Sequence, residues 1–175
     1  MAKHMPTGLK ATSSPVAIGF RATETGANTF TQASVDLNLS PLDREVFVVL
    51  AINLDPQTPE SIAGTTTSVS ASLTSTSQTA VVDLDNSNCL ANGRNIIRQN
   101  AGSVDGVAFQ TGMYETPVAT GLDYIGIIAT NDFFVQVQAE NNVAAKHATG
   151  KLYGYRARAS ADIYAALVQS EVLSA

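Results

Sequence analysis

The amino-acid sequence predicts an all-β protein, a β-sandwich or barrel built around one central strand. Residues 45–54 form the longest nearly unbroken apolar run in the chain, and the run is rich in Val, Ile and Phe. Eight to ten short segments in all are predicted as strands, and they do not alternate regularly with helices. No repeat of fixed period is visible, so propellers and solenoids are disfavoured.

The central run is predicted as a strand because of its residue types and its boundaries. β-Branched residues pack well on a pleated ladder and lose rotamer freedom in a helix. Pro41 precedes the run and Pro56 closes it. A strand that is apolar on both faces needs a second layer to cover it, so we expect residues 45–54 at the centre of a sandwich.

Composition bounds the number of domains and the character of the surface. The chain of 175 residues fits one domain that can bury a core without disulfides. Its single cysteine, Cys89, cannot form an internal disulfide and fits a reducing compartment. Charged residues make up only 14% of the chain. Such a surface is common where a protein packs against copies of itself, because charged groups are costly to desolvate in an interface core.

The net charge of −5 is unevenly distributed. Residues 1–23 carry +3, residues 24–93 carry −7 and the remainder carries −1. The body has no excess of bases to neutralise phosphates, so we expect no strong direct binding of nucleic acid. Apolar runs of about ten residues are half of what a membrane span needs, so no transmembrane segment is predicted. We also expect no secretion signal, because residues 1–6 lack an apolar stretch.

Residues 1–15 are predicted as a flexible, irregular N-terminal arm, and residues 16–175 as a single domain that ends in a C-terminal tail. The arm contains Pro6, Gly8 and Pro15, which break regular structure. The first predicted elements of the domain are a strand at 16–22, a turn at 26–28 and a strand at 34–39.

Residues 65–79 are the least charged and most hydroxyl-rich stretch of the chain. Eleven of these fifteen residues are Ser or Thr, while Val69, Ala71 and Leu73 are spaced two apart. The alternation predicts an exposed β-strand with a free edge that could pair with a neighbouring subunit. A disordered Ser/Thr-rich linker is the alternative.

The second half of the chain is predicted to hold one crossing helix and a further set of strands. Residues 88–99 favour one to three helical turns between the sheets, although Gly93 weakens this prediction. The strands are predicted at 80–84, 104–109, 113–118, 122–129, 133–139 and 151–159.

The last predicted strand and the tail carry the remaining bases and aromatic residues of interest. Arg156 and Arg158 lie two apart and are expected on a basic outer face, with Tyr153 and Tyr155 opposite them. Residues 160–173 favour a helix, with an edge strand as the alternative. We expect Ser160 to cap this helix, Asp162 to lie in its first turn, and Ile163, Ala166 and Leu167 to form its apolar stripe.

The sequence contains no catalytic signature. It has no phosphate-binding loop, no zinc-protease motif, no paired CxxC and no nucleophile elbow. The only histidines are His4 in the arm and His147 in a polar loop. We therefore predict that the protein is not an enzyme, and we assign no catalytic, cofactor-binding or metal-binding residues.

Residues 83–88 place oxygen ligands at alternate positions, as calcium loops do. Asn88 and Arg94 stand where an EF-hand needs Gly and Glu, however. An Asx-rich turn accounts for Asp83 and Asp85 without a metal ion. The turn is the favoured interpretation, and calcium stays open.

Two segments, residues 42–49 and 150–159, resemble the single jelly-roll coat proteins of tailless icosahedral viruses. The arm, the number of strands, the predicted helix near 89–99 and the basic-faced strand before a short tail are similar too. The resemblance implies an antiparallel β-sandwich of the jelly-roll type with one or two short helices. It also implies a structural protein of the virion that assembles in the host cytoplasm with copies of itself and with other capsid proteins. The sequence departs from many coat proteins in lacking a polybasic arm, so direct packaging of the genome by this chain is not expected.

Two rival classes follow from the same architecture. A β-sandwich binding module, such as a lectin, an adhesin or a viral spike domain, would be expected to expose aromatic residues, whereas this chain has no Trp and 6% aromatic residues. An enzyme of the cupin type would need a cluster of His ligands, and the chain has two histidines. The coat-protein interpretation is therefore favoured.

Overall fold

The structure is a computed structural model that describes residues 5–100, 102, 105–112 and 123–174. These residues form two antiparallel sheets of five strands each, which pack face to face, and one α-helix. The elements in chain order are β1 Leu9–Ala11, β2 Val16–Thr23, β3 Thr31–Asp36, a 3-10 turn Pro41–Asp43, β4 Glu45–Pro56, β5 Thr67–Thr74, β6 Cys89–Gln99, β7 Gly106–Gly112, β8 Gly126–Ile128, β9 Asp132–Glu140, β10 His147–Ala159 and α1 Ala161–Leu173.

The strand order shows how the chain folds back on itself. In sheet A, β1 and β2 both pair with β10, β10 pairs with β4, and β4 pairs with β8. In sheet B the order is β3-β9-β5-β6-β7. Pairing is therefore nested, with β2 beside β10, β3 beside β9, β4 beside β8 and β5 beside β6. A long hairpin wrapped across two sheets in this way is a jelly roll, so the predicted antiparallel sandwich is confirmed.

The predicted central strand is confirmed as β4, which lies inside sheet A. Val46, Phe47, Val48 and Val49 have no exposed surface, so both faces of the strand are covered there. After Val49 the pairing with β10 skips Leu50, and this bulge changes which side chains face the second sheet. The second half of β4 consequently has one buried and one wet face.

The main core lies between the two sheets. Phe20 of β2 meets Phe133 of β9 edge to face, with ring centroids 5.8 Å apart. Burying such aromatic and branched side chains is the main favourable contribution to folding. The largest buried members of this core are Leu37, Phe47, Leu54, Leu73, Ile128, Phe133 and Leu152.

A second apolar cluster lies on the other face of sheet A, beneath α1. The predicted C-terminal helix is confirmed, and its Ile163 and Leu167 pack on this cluster as expected. Tyr164 and Val168 complete the apolar stripe, whereas the predicted Ala166 is exposed. Ser160 precedes the helix, but its side chain makes no capping hydrogen bond.

The predicted irregular arm contains a strand. Leu9–Ala11 form β1, which pairs with the end of β10 from Leu9–Ala159 to Ala11–Ala157. The prediction of an irregular arm is therefore wrong at these three residues, because their backbone groups find partners on the body of the same chain. Residues 1–4 lie outside the described part of the chain.

The predicted helix near 89–99 is wrong. Cys89–Gln99 form β6, which pairs with β5 on one side and with β7 on the other. A polar sequence that includes Gly93 has little strand propensity of its own, so the pairing on both sides decides its conformation.

Residues 65–79 do contain a strand, but not an exposed one. β5 lies inside sheet B between β9 and β6, and it has no free edge. Neither the exposed strand nor the disordered linker describes it. Residues 80–84, predicted as a strand, instead belong to the long segment that joins β5 to β6.

The other predicted strands fall close to observed ones. The strand at 16–22 lies in β2, that at 34–39 overlaps β3, those at 104–109 and 122–129 overlap β7 and β8, and those at 133–139 and 151–159 lie in β9 and β10. The turn at 26–28 is also present. The predicted strand at 113–118 lies outside the described residues.

Candidate interaction surfaces

The residues with catalytic potential lie on different sheets. His147 begins β10 in sheet A, and burial together with the Arg21 guanidinium lowers the pKa of its imidazole. Cys89 begins β6 in sheet B, and burial raises the pKa of its thiol to about 11. A thiol with this pKa is protonated at neutral pH and is a poor nucleophile.

The predicted basic outer face on β10 holds only for Arg158, which is exposed, and both arginines bind groups of the same chain. Arg156 donates from Nη2 to the carbonyl oxygen of Leu37 at 2.9 Å, and its Nε is buried. Arg158 forms an ion pair with Asp43 at 3.1 Å. The segment that follows β3 and the turn before β4 thus each bind one guanidinium group, while the buried Arg156 Nε has no partner among the described residues.

The predicted Asx-rich turn is present at residues 83–89. The backbone N–H of Asn86 donates to the carbonyl oxygen of Asp83 at 3.1 Å, and that of Asn88 donates to the side-chain oxygen of Asn86 at 2.9 Å. The Asp83 carboxylate accepts a hydrogen bond from the Asn92 amide at 3.1 Å. Within the described part of the chain, no three His, Cys, Asp or Glu side chains converge as metal ligands.

A buried polar network lies on the outer face of sheet B, where the sequence predicted exposed hydroxyl groups. Gln136 of β9 is fully buried and accepts a hydrogen bond from Ser72 at 2.8 Å. Its amide donates to Thr74 at 2.7 Å and to Gln32 at 2.9 Å. The segment between β5 and β6 covers this network, and the N–H of Val82 donates to Ser72. Full pairing makes burial of these polar groups tolerable.

Beside this covered network, the same face of sheet B carries an open groove of about 600 Å³, here called the outer groove. Gln138, Ser70 and Arg94 lie directly opposite one another on three adjacent strands and form its floor. The groove is also lined by Ala71, Val81, Asp83, Leu84, Asn92, Gly93 and Glu140. Arg94 pairs with Glu140 at 3.1 Å, and Asp83 leaves the groove with a net negative charge.

Among the described strands, β7 forms one edge of sheet B, and it exposes apolar side chains. Val107 and Phe109, two residues apart and hence on one face of the strand, are 58% and 49% exposed. The next strand inward contributes the half-buried Ile96, which lies opposite Phe109. The sequence contained the signal for this edge, since residues 106–112 are uncharged and free of proline.

No helix among the described residues is long and apolar enough to cross a membrane.

Comparisons with known proteins give only distant structural likenesses. No protein-family model and no curated protein matches the chain. A chain from the structure of Desmodium yellow mottle tymovirus aligns with a TM-score of 0.28 and 14% identity, over 90% of this chain and 96% of that one. A chain from the empty head of turnip yellow mosaic virus aligns with a TM-score of 0.30 and 10% identity, over 89% and 87% of the two chains. At these TM-scores the alignments define neither the fold nor the function of this chain.

Proposed function

We propose that this chain is a structural protein of a virion that assembles with copies of itself into an icosahedral capsid shell. The observation that carries the proposal is the nested jelly-roll pairing, an architecture used by capsid proteins, lectins and cupins. A cupin site needs several histidines, and the sequence has two. The uncharged edge strand and the low charge of the chain favour a protein that packs against its own kind.

The proposal includes partners and location. Its partners are copies of the same chain and other capsid proteins, and its assembly takes place in the host cytoplasm. The negative body and the internally paired Arg156 and Arg158 favour a shell subunit that does not hold the genome tightly. No catalytic role is included.

Assembly of the purified full chain tests this function. Mass photometry and negative-stain electron microscopy are expected to show closed shells or capsomers at micromolar concentration. A preparation that stays monomeric at high concentration, at low and high salt and with residues 1–15 intact, would refute the proposal.

A β-sandwich binding module is the second candidate, and the outer groove is the observation that favours it. Its floor and walls offer amide, hydroxyl, carboxylate and guanidinium groups beside the exposed Leu84. A module of this kind would be monomeric and would bind a ligand in the groove. Binding of a neutral oligosaccharide that is lost on Gln138→Ala, in a preparation without shells, would favour this candidate.

A further inference from the structure

We infer that β7 pairs with β7 of a second copy of this chain, antiparallel and about a two-fold axis, so that sheet B continues across two subunits. The inference deepens the proposed function, since it names one surface through which copies associate. It starts from the hydrogen-bonding edge of a single strand.

β7 uses only one of its two edges among the described residues. Its seven residues pair with β6 without interruption, from Gly106 opposite Gln99 to Gly112 opposite Gly93. No other described strand pairs with it. Every second N–H and C=O along the opposite edge is therefore directed away from sheet B, and such an edge is a template for another strand.

The remaining edge strands of both sheets carry protective features that β7 lacks. β1 contains Lys10, β2 contains Arg21 and β3 contains Asp36. β8 is only three residues long. Charges, shortness, proline and bulges are the usual means of preventing edge-to-edge pairing. β7 has seven residues, no charge, no proline and no register shift.

The side chains of β7 add apolar surface to this open edge. Val107 and Phe109 are more than four-tenths exposed and lie on the same face. Pairing with a second strand would place a residue of the copy directly opposite each of them, because paired side chains lie about 5 Å apart. Burial of this surface would then add to the backbone hydrogen bonds.

The sequence of β7 indicates that the partner is the same strand. Read outward from Phe109, the strand has β-branched Val107 and Thr111 at equal distances and glycine at both ends, while Ala108 is matched by Gln110. Antiparallel pairing centred on Phe109 places Gly106 opposite Gly112 and Val107 opposite Thr111, with Phe109 opposite itself. In a two-fold contact the same strand faces itself across the axis, so like charges on the strand would meet and repel. β7 has no charge to repel.

Disulfide cross-linking tests this register. All variants carry Cys89→Ser, which removes the single native thiol. Phe109→Cys is expected to form a disulfide-linked dimer under mild oxidation, because directly opposite Cα atoms lie about 4.5–5.5 Å apart and a disulfide spans about 4.4–6.8 Å. Val107→Cys alone should not cross-link, since its copy lies four residues away, about 13 Å. Mixing Val107→Cys with Thr111→Cys chains should restore the cross-link.

A charge on the edge gives an independent measurement. Val107→Lys should abolish the contact between copies without lowering the melting temperature, since this side chain is mostly exposed. Val143→Lys is the matched control, because Val143 is 80% exposed and lies in the loop before β10. It should leave both association and melting unchanged, and Val143→Cys should not cross-link.

The outcomes separate this inference from the proposed function. Shells that form while Phe109→Cys stays uncross-linked and Val107→Lys still assembles would overturn the β7 contact and leave the capsid proposal intact. Cross-linked dimers without any shell would support the contact and refute the capsid. Cross-linking of Val107→Cys alone, as efficient as that of Phe109→Cys, would overturn the stated register.

Discussion

At the scale of single residues, Gly150 shows how closely the strands of sheet A approach their surroundings. A Cβ atom added there would collide with the carbonyl oxygen of Asn53 on β4 and with the Phe20 ring in the main core. The backbone oxygen cannot move without disturbing the pairing between β4 and β10. Gly19, on the adjacent β2, has open space where its Cβ would stand.

We expect Gly150→Ala to lower the free energy of unfolding by about 1–3 kcal/mol, because overpacking forces side chains and backbone to shift. Gly19→Ala is the matched control and should be neutral or slightly stabilising, since alanine loses less backbone entropy than glycine in a strand. Urea unfolding of the two variants measures both effects. Equal midpoints for the two variants would contradict the close approach.

Glu171 is a second residue whose surroundings set a measurable property. It lies near the end of α1 and is only 7% exposed. Its carboxylate accepts hydrogen bonds from the backbone N–H of Ala129 at 2.9 Å and of Thr130 at 3.0 Å, which attaches the helix to the end of β8. Burial raises the pKa of Glu171, and the backbone hydrogen bonds oppose this shift only in part.

The raised pKa of Glu171 predicts a pH dependence. The folded protein holds the Glu171 proton more tightly than the unfolded chain does. The stabilisation that comes from this tighter proton binding by Glu171 is therefore fully present below the unfolded-state pKa. It is lost as the pH rises through the folded-state pKa. We expect wild type to lose stability relative to Glu171→Gln as the pH rises above the ordinary glutamate pKa of about 4.3.

Chemical unfolding at several pH values measures this difference. Carboxylates present in both proteins, such as Glu60, contribute equally and cancel in the comparison. Gln169→Ala, an exposed change on the same helix that removes no titratable group, is the matched control and should leave the slope unchanged. Parallel stability curves for wild type and Glu171→Gln would show that burial of this carboxyl does not act in solution as it does in the structure.

At the scale of elements, a strand could be predicted where its own residues favour β structure. It could not be predicted where pairing with neighbouring strands decides its conformation. β4 is a run rich in β-branched residues, and β10 alternates Tyr, Leu and Ala with charged residues and Gly, so the propensity of each strand agrees with its place in the sheet. β6 has a polar, glycine-containing sequence and becomes a strand only because β5 and β7 pair with it. The outer face of β5 is buried because the segment between β5 and β6 crosses Ser72. No local sequence pattern in β5 predicts the path of that segment.

The N-terminal arm provides the prediction at this scale. Among the described residues 5–15, Leu9 is the one hydrophobic side chain that packs on an apolar cluster, at the edge of the cluster beneath α1. Deleting residues 1–15 should therefore leave a cooperative thermal transition at a lower melting temperature. We expect the same deletion to change the size or yield of the assemblies.

Calorimetry and electron microscopy of the deleted chain check both effects. A variant that removes only residues 1–4 is the control, because it keeps β1 and its pairing with β10. Loss of the cooperative transition on deletion of residues 1–15 would show that β1 is essential to the body and that the arm is not a separate segment.

At the scale of the whole molecule, the sequence was sufficient for the class of fold but not for its surfaces. The number of strands and the central apolar run predict two β-layers, because the apolar pattern of each strand can be read from its own residues. Which strand forms an edge depends on pairing between distant parts of the chain. Residues 65–79 are therefore predicted at a sheet edge, whereas β5 lies inside sheet B and β7 is an edge strand among the described residues. The internal partners of Arg156 and Arg158 were missed for the same reason.

The ion pairs on the surface of the subunit are weak, which bears on how assemblies respond to salt. Arg94–Glu140 and Arg158–Asp43 are both largely exposed, and each such pair contributes about 0–1 kcal/mol. Raising sodium chloride from about 0.1 M to about 1 M shortens the screening length from about 10 Å to about 3 Å, but does not weaken apolar burial or strand pairing.

We therefore expect assemblies of the full chain to survive about 1 M sodium chloride with unchanged size in mass photometry. The Val107→Lys variant should stay dissociated at both salt concentrations, because the high-salt solution screens its charge without restoring the apolar contact. Shells that dissociate as salt is raised would instead indicate contacts between subunits that depend on exposed charge, and the β7 edge would then be too weak a contact to hold the shell together.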